Sequence, residues 1–149
     1  MLFSTKAEYG VRLMVELGRQ AGSAPVALSA FAEAERLPLS YLEHLVAKLR
    51  QAELVASTRG AHGGYRLNRP AEEITMAEVV EALEGKIAPM ECFYEDPEGK
   101  VLCSHETDGD RACATKLLWT RVQGSIVRTL TEMTLADLVR PVRRKATTV

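Results

Sequence analysis

The sequence lacks the features that mark membrane, secreted and disulfide-bonded proteins. Its 149 residues contain no apolar run of about 18 residues or more, which excludes a membrane-spanning helix. No apolar stretch with a small-residue cleavage site opens the chain, so we expect a cytoplasmic protein with no membrane partner. The 3 cysteines are an odd number that does not build a disulfide framework. The net charge of −1 argues, at first sight, against a nucleic-acid partner.

Motifs for catalysis are also missing. The sequence shows no nucleophile–base pair, no phosphate-binding glycine loop and no paired catalytic carboxylates. Its three histidines, His44, His62 and His105, lie in unlike contexts. We therefore expect a protein that is not an enzyme.

The net charge is an average over three unlike segments. Residues 1–70 carry 9 basic and 6 acidic side chains, residues 71–110 carry 2 and 12, and residues 111–149 carry 8 and 2. Binding responds to the local field, which salt screens beyond about 10 Å, so the total charge does not exclude DNA. A solvated acidic surface is the simpler interpretation of the middle segment.

Helix starts are predicted from Ser and Thr residues placed before helical patterns. The predicted N-caps are Thr5 with Glu8, Ser29, Ser40 with Glu43, and Thr75 with Glu78. Pro38 separates the second helix from the third, and Gly85 closes the fourth. A final long helix carries an apolar stripe, made of Trp119, Val122, Ile126, Leu130 and Met133. A short helix follows at Thr134 to Asp137.

The third predicted helix is amphipathic, and a hairpin follows it. Its apolar face comprises Leu42, Leu45, Val46 and Leu49, and its other face carries Tyr41, His44, Lys48 and Arg50. The β-prone runs 54–58 and 65–67 flank a glycine-rich tip. This element order predicts a mainly α protein with a small β-hairpin, in which a winged helix-turn-helix domain precedes a long C-terminal dimerisation helix.

The pattern also suits DNA binding on physical grounds. A B-form major groove admits one helix, which needs an apolar back and a polar, mostly basic front. A hairpin tip that approaches phosphates closely favours glycine with flanking donors; here these are Gly60, Gly63 and Gly64 among Arg59, His62 and Arg66. A surface helix and an ordinary hairpin of another α+β protein explain the same pattern.

Several stretches together resemble the IscR/NsrR family of bacterial winged-helix regulators. They are Ser4-Thr5-Lys6 with Tyr9, Ser40-Tyr41-Leu42-Glu43, Lys48-Leu49-Arg50, Leu54-Val55, the run 59–67, the helix 78–85, and 134–138. The resemblance spans residues 1–139 and is most specific in the wing motif. It implies a DNA-binding domain over 1–85, a cysteine-bearing loop over 86–112, a dimerisation helix and short helix over 113–139, and a basic tail over 140–149.

The resemblance also implies which residues meet DNA. The start of the third helix and the wing supply them, and the full set is Ser40, Tyr41, Glu43, His44, Lys48, Arg50, Arg59, Gly60, His62, Gly63, Gly64 and Arg66. Glu43 has two interpretations, as a capping carboxylate or as an acceptor for a cytosine amino group, and capping is favoured in the free protein. Arg36 stands where the family usually has glycine.

Three cysteines, Cys92, Cys103 and Cys113, fall in or beside the acidic loop. Thiolates suit iron–sulfur clusters or zinc, and a cluster takes four ligands. Their spacing, with 10 and 9 intervening residues, matches no compact chelate motif, so three ordinary thiols remain an alternative on spacing alone.

By resemblance, these cysteines hold an iron–sulfur cluster of two or four irons. The wider spacing around Cys103 leaves the cluster type open. Lys116 occupies the place where one branch of the family has a histidine ligand. Another branch uses an acid near the start of the first helix of the other subunit, which here is Glu8, unless Glu8 serves only as a cap. His105 is the second choice for the fourth ligand.

The combined expectation is a homodimeric repressor that binds a near-palindromic double-stranded DNA operator. The apolar stripe of the long helix packs against its symmetry mate, and the cluster senses iron–sulfur or redox status. Nitric-oxide sensing, a cluster-free thiol switch and, in a different class, a cluster carrier are the alternatives.

Overall fold

The computed structural model describes residues 3–90, 93, 95–99, 103 and 113–140 of the chain. The elements within these ranges are the helices α1 (Thr5–Arg19), α2 (Leu28–Glu35) and α3 (Leu39–Gln51), the strands β1 (Val55–Thr58) and β2 (Gly64–Leu67), a 3-10 turn (Ala71–Glu73), and the helices α4 (Met76–Glu84), α5 (Lys116–Glu132) and α6 (Leu135–Val139). The predicted fold class, mainly helical with one small hairpin, is confirmed.

The hydrophobic core lies between the apolar faces of α1, α3 and α4. On α3, the predicted apolar stripe is buried, with Leu42, Leu45 and Leu49 at 0% exposure and Val46 at 1%. Leu13 and Met14 of α1 and Val79 of α4 are equally inaccessible. Full burial of one such side chain stabilises the fold by about 1.5–3 kcal/mol. The core therefore fixes the back of α3 and leaves its other face outward.

Backbone hydrogen bonds join the hairpin to the segment just before α2. Strands β1 and β2 pair antiparallel from Val55 with Leu67 to Thr58 with Gly64. Val26 adds a single bridge to Tyr65, with both N–H to O distances at 2.9 Å. The wing is thus held to the helix-turn-helix by backbone hydrogen bonds as well as by the chain after α3.

The turn between α2 and α3 is built on a left-handed residue. Arg36 has φ 56° and ψ 43°, and the next amide, of Leu37, donates to the Ala32 carbonyl at 2.9 Å. A residue with a Cβ is strained in this region by about 1–2 kcal/mol. The turn therefore forms without glycine, at a conformational cost.

Of the four predicted N-caps, one is confirmed and three are wrong. Thr75 with Glu78 forms a complete capping box, and Thr134 with Asp137 forms another at the short final helix. The other helices begin one or two residues earlier than predicted, so the expected caps lie inside their first turns. Their N-caps are Ser4 instead of Thr5, Ala27 instead of Ser29, and Pro38 instead of Ser40.

Helix α5 lies along α4. Helix α6 packs into the hydrophobic core formed by residues 1–85. The side-chain amide of Gln123 donates to the Ile87 carbonyl at 2.9 Å, and Leu130 packs on the core cluster. The Leu135 amide donates to the Ile74 carbonyl at 2.8 Å, and the Leu135 side chain is fully buried. Residues 134–139 are thus packed together with residues 1–85, although the sequence grouped them with the long helix.

Within the described part of the chain, no helix is both long and apolar enough to cross a membrane. Cys92, His105 and the basic tail from residue 141 onward lie outside the described residues. The predictions made for them stay predictions.

Candidate functional site

The outward face of α3 is polar. It exposes Ser40, Glu43, His44 and Arg50 from one end of the helix to the other. The interpretation of Glu43 as a capping residue is wrong, because Pro38 is the N-cap and Glu43 lies more than one turn inside the helix. The Glu43 carboxylate is therefore on an exposed surface rather than over the first amides of its own helix.

Two other residues expected at the DNA surface are half-buried and are held by neighbouring helices. The Tyr41 hydroxyl donates to Thr5 Oγ1 at 3.4 Å, and its ring meets Tyr9 edge-on with centroids 6.4 Å apart. Lys48 Nζ donates to the Leu83 carbonyl at 3.1 Å. In this structure both side chains engage α1 and α4, an arrangement that the face pattern of α3 did not reveal.

The wing glycines have structural causes inside the hairpin itself. A Cβ on Gly63 would collide with the Thr58 carbonyl, and a Cβ on Gly64 would collide with the Val26 carbonyl. Gly60 has φ +115°, a conformation that residues with a Cβ rarely adopt. Close approach to phosphate, the reason inferred from the sequence, is therefore not needed to explain these glycines.

A recess lies between α3 and the wing. It has a volume of about 330 Å³ and is lined by Arg50, Ser57, Thr58, Arg59, Gly64 and Tyr65. The two arginines and the three hydroxyl-bearing residues among them carry hydrogen-bond donors of the kind that bind phosphate oxygens. The recess joins the end of α3 to the base of the wing in one basic surface.

Within the part of the chain that the structure describes, no side chain caps the first amides of α2 or α3. By contrast, α1, α4 and α6 each have a carboxylate over their first amides. Helix N-termini attract anions because of their unpaired amides and the helix dipole. The uncapped starts of α2 and α3 therefore suit a phosphate backbone better than the capped starts of α1, α4 and α6 do, and α5 also lacks a side-chain cap.

Two of the three cysteines can be placed. Cys103 and Cys113 are both half-buried, and Cys113 lies just before α5 with its Sγ 3.3 Å from Thr115 Oγ1. Hydrogen bonds from the Thr115 side chain and amide, and then the Lys116 amide and charge, lower the pKa of the Cys113 thiol. A thiol whose pKa is lowered supplies thiolate more readily, and thiolate is the form that binds iron.

Glu8, the expected ligand from a partner subunit, points outward. Its carboxylate is 55% exposed and lies 3.6 Å from Arg12 on the next turn of α1. Its alternative role as a cap of α1 is wrong, because Ser4 is the N-cap and the carboxylate of Glu84 covers the first amides. The described residues bring together no group of three His, Cys, Asp or Glu side chains suited to a metal. The proposed set of ligands extends beyond them.

The long helix carries a half-buried apolar stripe and an exposed apolar pair. Trp119, Val122, Ile126 and Leu130 are half-buried within the chain, Leu130 packs against the core cluster, and Met133 is 39% exposed. Leu117 and Leu118 are the most exposed large apolar residues among the described ones, at 63% and 55%. Sequence reasoning missed this pair because it lies outside the periodic stripe.

Comparison with known proteins agrees with the fold. Residues 3–141 match the Rrf2 family, which is described as iron-dependent transcriptional regulators. Protein rrf2 of Nitratidesulfovibrio vulgaris is 36% identical over 140 residues, covering 94% of this chain and 88% of that protein. The HTH-type transcriptional regulator IscR of Sodalis glossinidius is 37% identical over 139 residues, covering 93% and 79%.

A solved structure adds the three-dimensional match. The structure of CymR, described as the global cysteine regulator of B. subtilis, is similar with a TM-score of 0.76 and 35% identity, covering 93% of this chain and 96% of that chain. The relatives are named as regulators of transcription, in agreement with the expectation of a protein that is not an enzyme. The resemblance found in the sequence is confirmed, and the chain belongs to the Rrf2 family of DNA-binding transcriptional regulators.

Proposed function

We propose that the protein is a homodimeric repressor whose binding to a near-palindromic operator is switched by an iron–sulfur cluster that senses cluster, iron or redox status. The observation that carries the DNA-binding part is the continuous surface of α3, the recess and the wing. It combines an exposed polar helix face with the guanidinium groups of Arg50 and Arg59.

In each subunit, α3 and the wing together form a DNA-binding unit, called the reading head below, that contacts both bases and the phosphate backbone. Exposed Ser40, Glu43 and His44 reach base edges in the major groove, where the Glu43 carboxylate accepts from a cytosine amino group. Arg59, His62 and Arg66 of the wing, with Arg50, meet phosphates, which position the protein but carry no sequence information. Two heads related by a two-fold axis read half-sites about one helical turn, or a multiple of it, apart.

The dimer is supported by the apolar surface of α5. No residue of this helix is fully buried within the chain. A second copy can pack against the exposed side chains of Leu117, Leu118 and Met133. It can also pack against the exposed part of the half-buried stripe from Trp119 to Leu130. If Glu8 is a ligand, the cluster links the cysteine-bearing loop of one subunit to α1 of the other.

The cluster is supported by the donor chemistry and by the iron named in the family description. Cys92, Cys103 and Cys113 supply three thiolates, and Glu8 of the partner subunit supplies a carboxylate, with His105 as the alternative. A bound cluster supplies redox and nitric-oxide reactivity. The Glu8 carboxylate is the hardest of these donors and the poorest match for cluster iron, so it is the bond expected to break first. The Cys113 environment, which favours the thiolate, fits the group.

A cluster-free thiol switch is the second candidate. The similar B. subtilis structure is described as that of a cysteine regulator. In that case, oxidation of Cys113, whose pKa is lowered, is the signal. Nitric oxide as the signal keeps the cluster mechanism, whereas a cluster carrier predicts transfer of the cluster with no preferred DNA site.

Anaerobic purification distinguishes these candidates. We expect a coloured protein with iron and acid-labile sulfide in comparable amounts, and loss of both in Cys103→Ser. Selection of bound duplexes from a random DNA pool is expected to give a near-palindrome. A colourless protein with no iron favours the thiol switch, and the absence of any selected sequence favours the carrier.

A further inference from the structure

We propose that the last turn of α4 is a brace that positions both ends of the reading helix α3, with Glu84 and Lys48 as positioning residues. The brace is defined by Leu83 and Glu84 of α4 and by the groups that they bind on α1 and α3. The inference rests on the proposed function, because it takes α3 as the DNA-reading helix.

The first arm of the brace joins α4 to the start of α1. Glu84 Oε1 accepts hydrogen bonds from the amides of Ser4 at 2.9 Å and Ala7 at 3.2 Å, and also from the Ser4 hydroxyl. A carboxylate over the first amides of a helix is favoured by the helix dipole. Glu84 thus caps a helix whose N-cap residue, Ser4, lies 80 residues before it in the chain.

This arm continues from α1 to the N-terminal end of α3. Thr5 follows Ser4 directly, and its hydroxyl accepts the hydrogen bond from Tyr41. Tyr9, one turn further along α1, packs edge-on against the same ring with the two planes at 86°. The N-terminal half of α3, where the expected base contacts lie, therefore rests on the turn of α1 that Glu84 caps.

The second arm joins α4 directly to the C-terminal half of α3. Lys48 Nζ donates to the Leu83 carbonyl, one of the last carbonyls of α4. A cation is favoured there because the C-terminal end of a helix carries partial negative charge. Both ends of α3 therefore depend on two consecutive residues, Leu83 and Glu84.

The brace lies directly before the cysteine-bearing loop, and its loss is expected to affect the specificity of DNA binding. Gly85 ends α4, and the cysteine-bearing loop 86–112 begins directly after it. Base contacts require side chains to be placed within a fraction of an ångström, whereas attraction to phosphates depends mainly on charge. Loss of the brace should therefore lower sequence discrimination and leave non-specific binding to DNA nearly unchanged.

The test compares DNA binding by full-length variants. The probes are the duplex that the wild-type protein selects from a random pool and a scrambled duplex of the same length. Glu84→Ala and Lys48→Met are each expected to lower the ratio of specific to non-specific affinity by about tenfold, while non-specific affinity stays within about twofold. Glu84→Gln retains an acceptor oxygen and should recover most of the ratio, and Glu81→Ala on the exposed face of α4 serves as the matched control.

The salt dependence separates positioning from phosphate contact. A positioning role leaves the slope of log affinity against log salt unchanged, whereas loss of a phosphate contact lowers its magnitude by about one. An unchanged ratio in Glu84→Ala would overturn the brace, and a lowered slope in Lys48→Met would overturn its second arm. If Glu84→Ala does not fold, Ser4→Ala, which removes only the hydroxyl, must still lower the ratio. If the wild-type protein selects no duplex, the proposed function fails and this inference with it.

Discussion

Gly10 of α1 lies directly against the Leu83 side chain of α4, with no room for a Cβ between them. Leu83 is itself fully buried, so it cannot swing away into solvent. This close approach sets the crossing of the two helices whose ends carry Ser4 and Glu84. The glycine is therefore a requirement of the packing that positions α1 under α3.

Gly10→Ala is expected to destabilise the protein by about 1–3 kcal/mol, because the added methyl group overpacks the contact with Leu83. The free energy of unfolding in urea measures this effect. Gly124→Ala is the matched control, since Gly124 lies within α5 with open space around its Cβ position. Alanine there should stabilise the helix by about 0.5–1 kcal/mol. Equal stabilities of Gly10→Ala and the wild type would contradict the packing account.

Arg36→Gly is expected to stabilise the protein by up to about 1 kcal/mol. Glycine removes the strain of the left-handed conformation, and the larger freedom of the unfolded chain offsets part of the gain. Arg36→Ala keeps a Cβ and should give no comparable gain. Thermal unfolding of the three proteins measures the difference. A loss of stability in Arg36→Gly would show that the side chain, and not the backbone strain, dominates at this turn.

The capping box of α4 predicts a loss of stability in acid. Burial raises the pKa of Glu78, but hydrogen bonds from the Thr75 amide, Arg69 and the Thr75 hydroxyl outweigh it and hold that pKa below its ordinary 4.5. The unfolded state therefore binds protons more readily than the folded state does. The contribution of Glu78 is fully present above about pH 4.5 and is lost as the pH falls through the lower folded pKa.

Glu78→Gln keeps an acceptor for the Thr75 amide but removes the charge. Its free energy of unfolding should therefore vary less between about pH 5 and pH 3 than that of the wild type. Glu81→Gln, on the exposed side of the same helix, should follow the wild-type curve. Parallel curves for Glu78→Gln and the wild type would show that Glu78 has no such role.

Arg59→Ala is expected to weaken binding to the selected duplex and to the scrambled duplex by similar factors. If Arg59 meets one phosphate, the slope of log affinity against log salt should fall in magnitude by about one. Arg19→Ala removes an exposed positive charge at the far end of α1 and is the matched control. An unchanged slope in Arg59→Ala would remove the wing arginine from the phosphate contacts.

Local signals predicted most of the fold. The spacing of Leu42, Leu45 and Leu49 identified the buried face of α3, and the Thr75–Glu78 pair identified the start of α4, because both depend only on residues a few positions apart. Cap positions failed at Ser29 and Ser40 because Ser and Thr also occur within first turns. The Ser4–Glu84 and Lys48–Leu83 contacts could not be predicted, since each joins residues far apart in sequence through helix packing alone.

In the candidate site, too, local patterns could be predicted, whereas features that depend on contacts between distant residues could not. The wing glycines were found from their pattern, but the reason for Gly63 and Gly64 lies in the carbonyls of Thr58 and Val26, which only the folded hairpin brings near. The proposed switch involves a loop and a second subunit, so no local pattern specifies its geometry. Resemblance, rather than spacing, is what predicts the ligands Cys92, Cys103 and Cys113.

Control of DNA binding by the cluster can be tested by a single comparison of affinities. The affinity of anaerobically purified protein for its selected duplex is measured before and after the iron is removed with a chelator under anaerobic conditions. We expect bound iron and sulfide at the outset and a change in affinity of about tenfold or more on their removal. Equal affinities of the iron-containing and iron-free protein, or a purified protein that contains no iron, would contradict it.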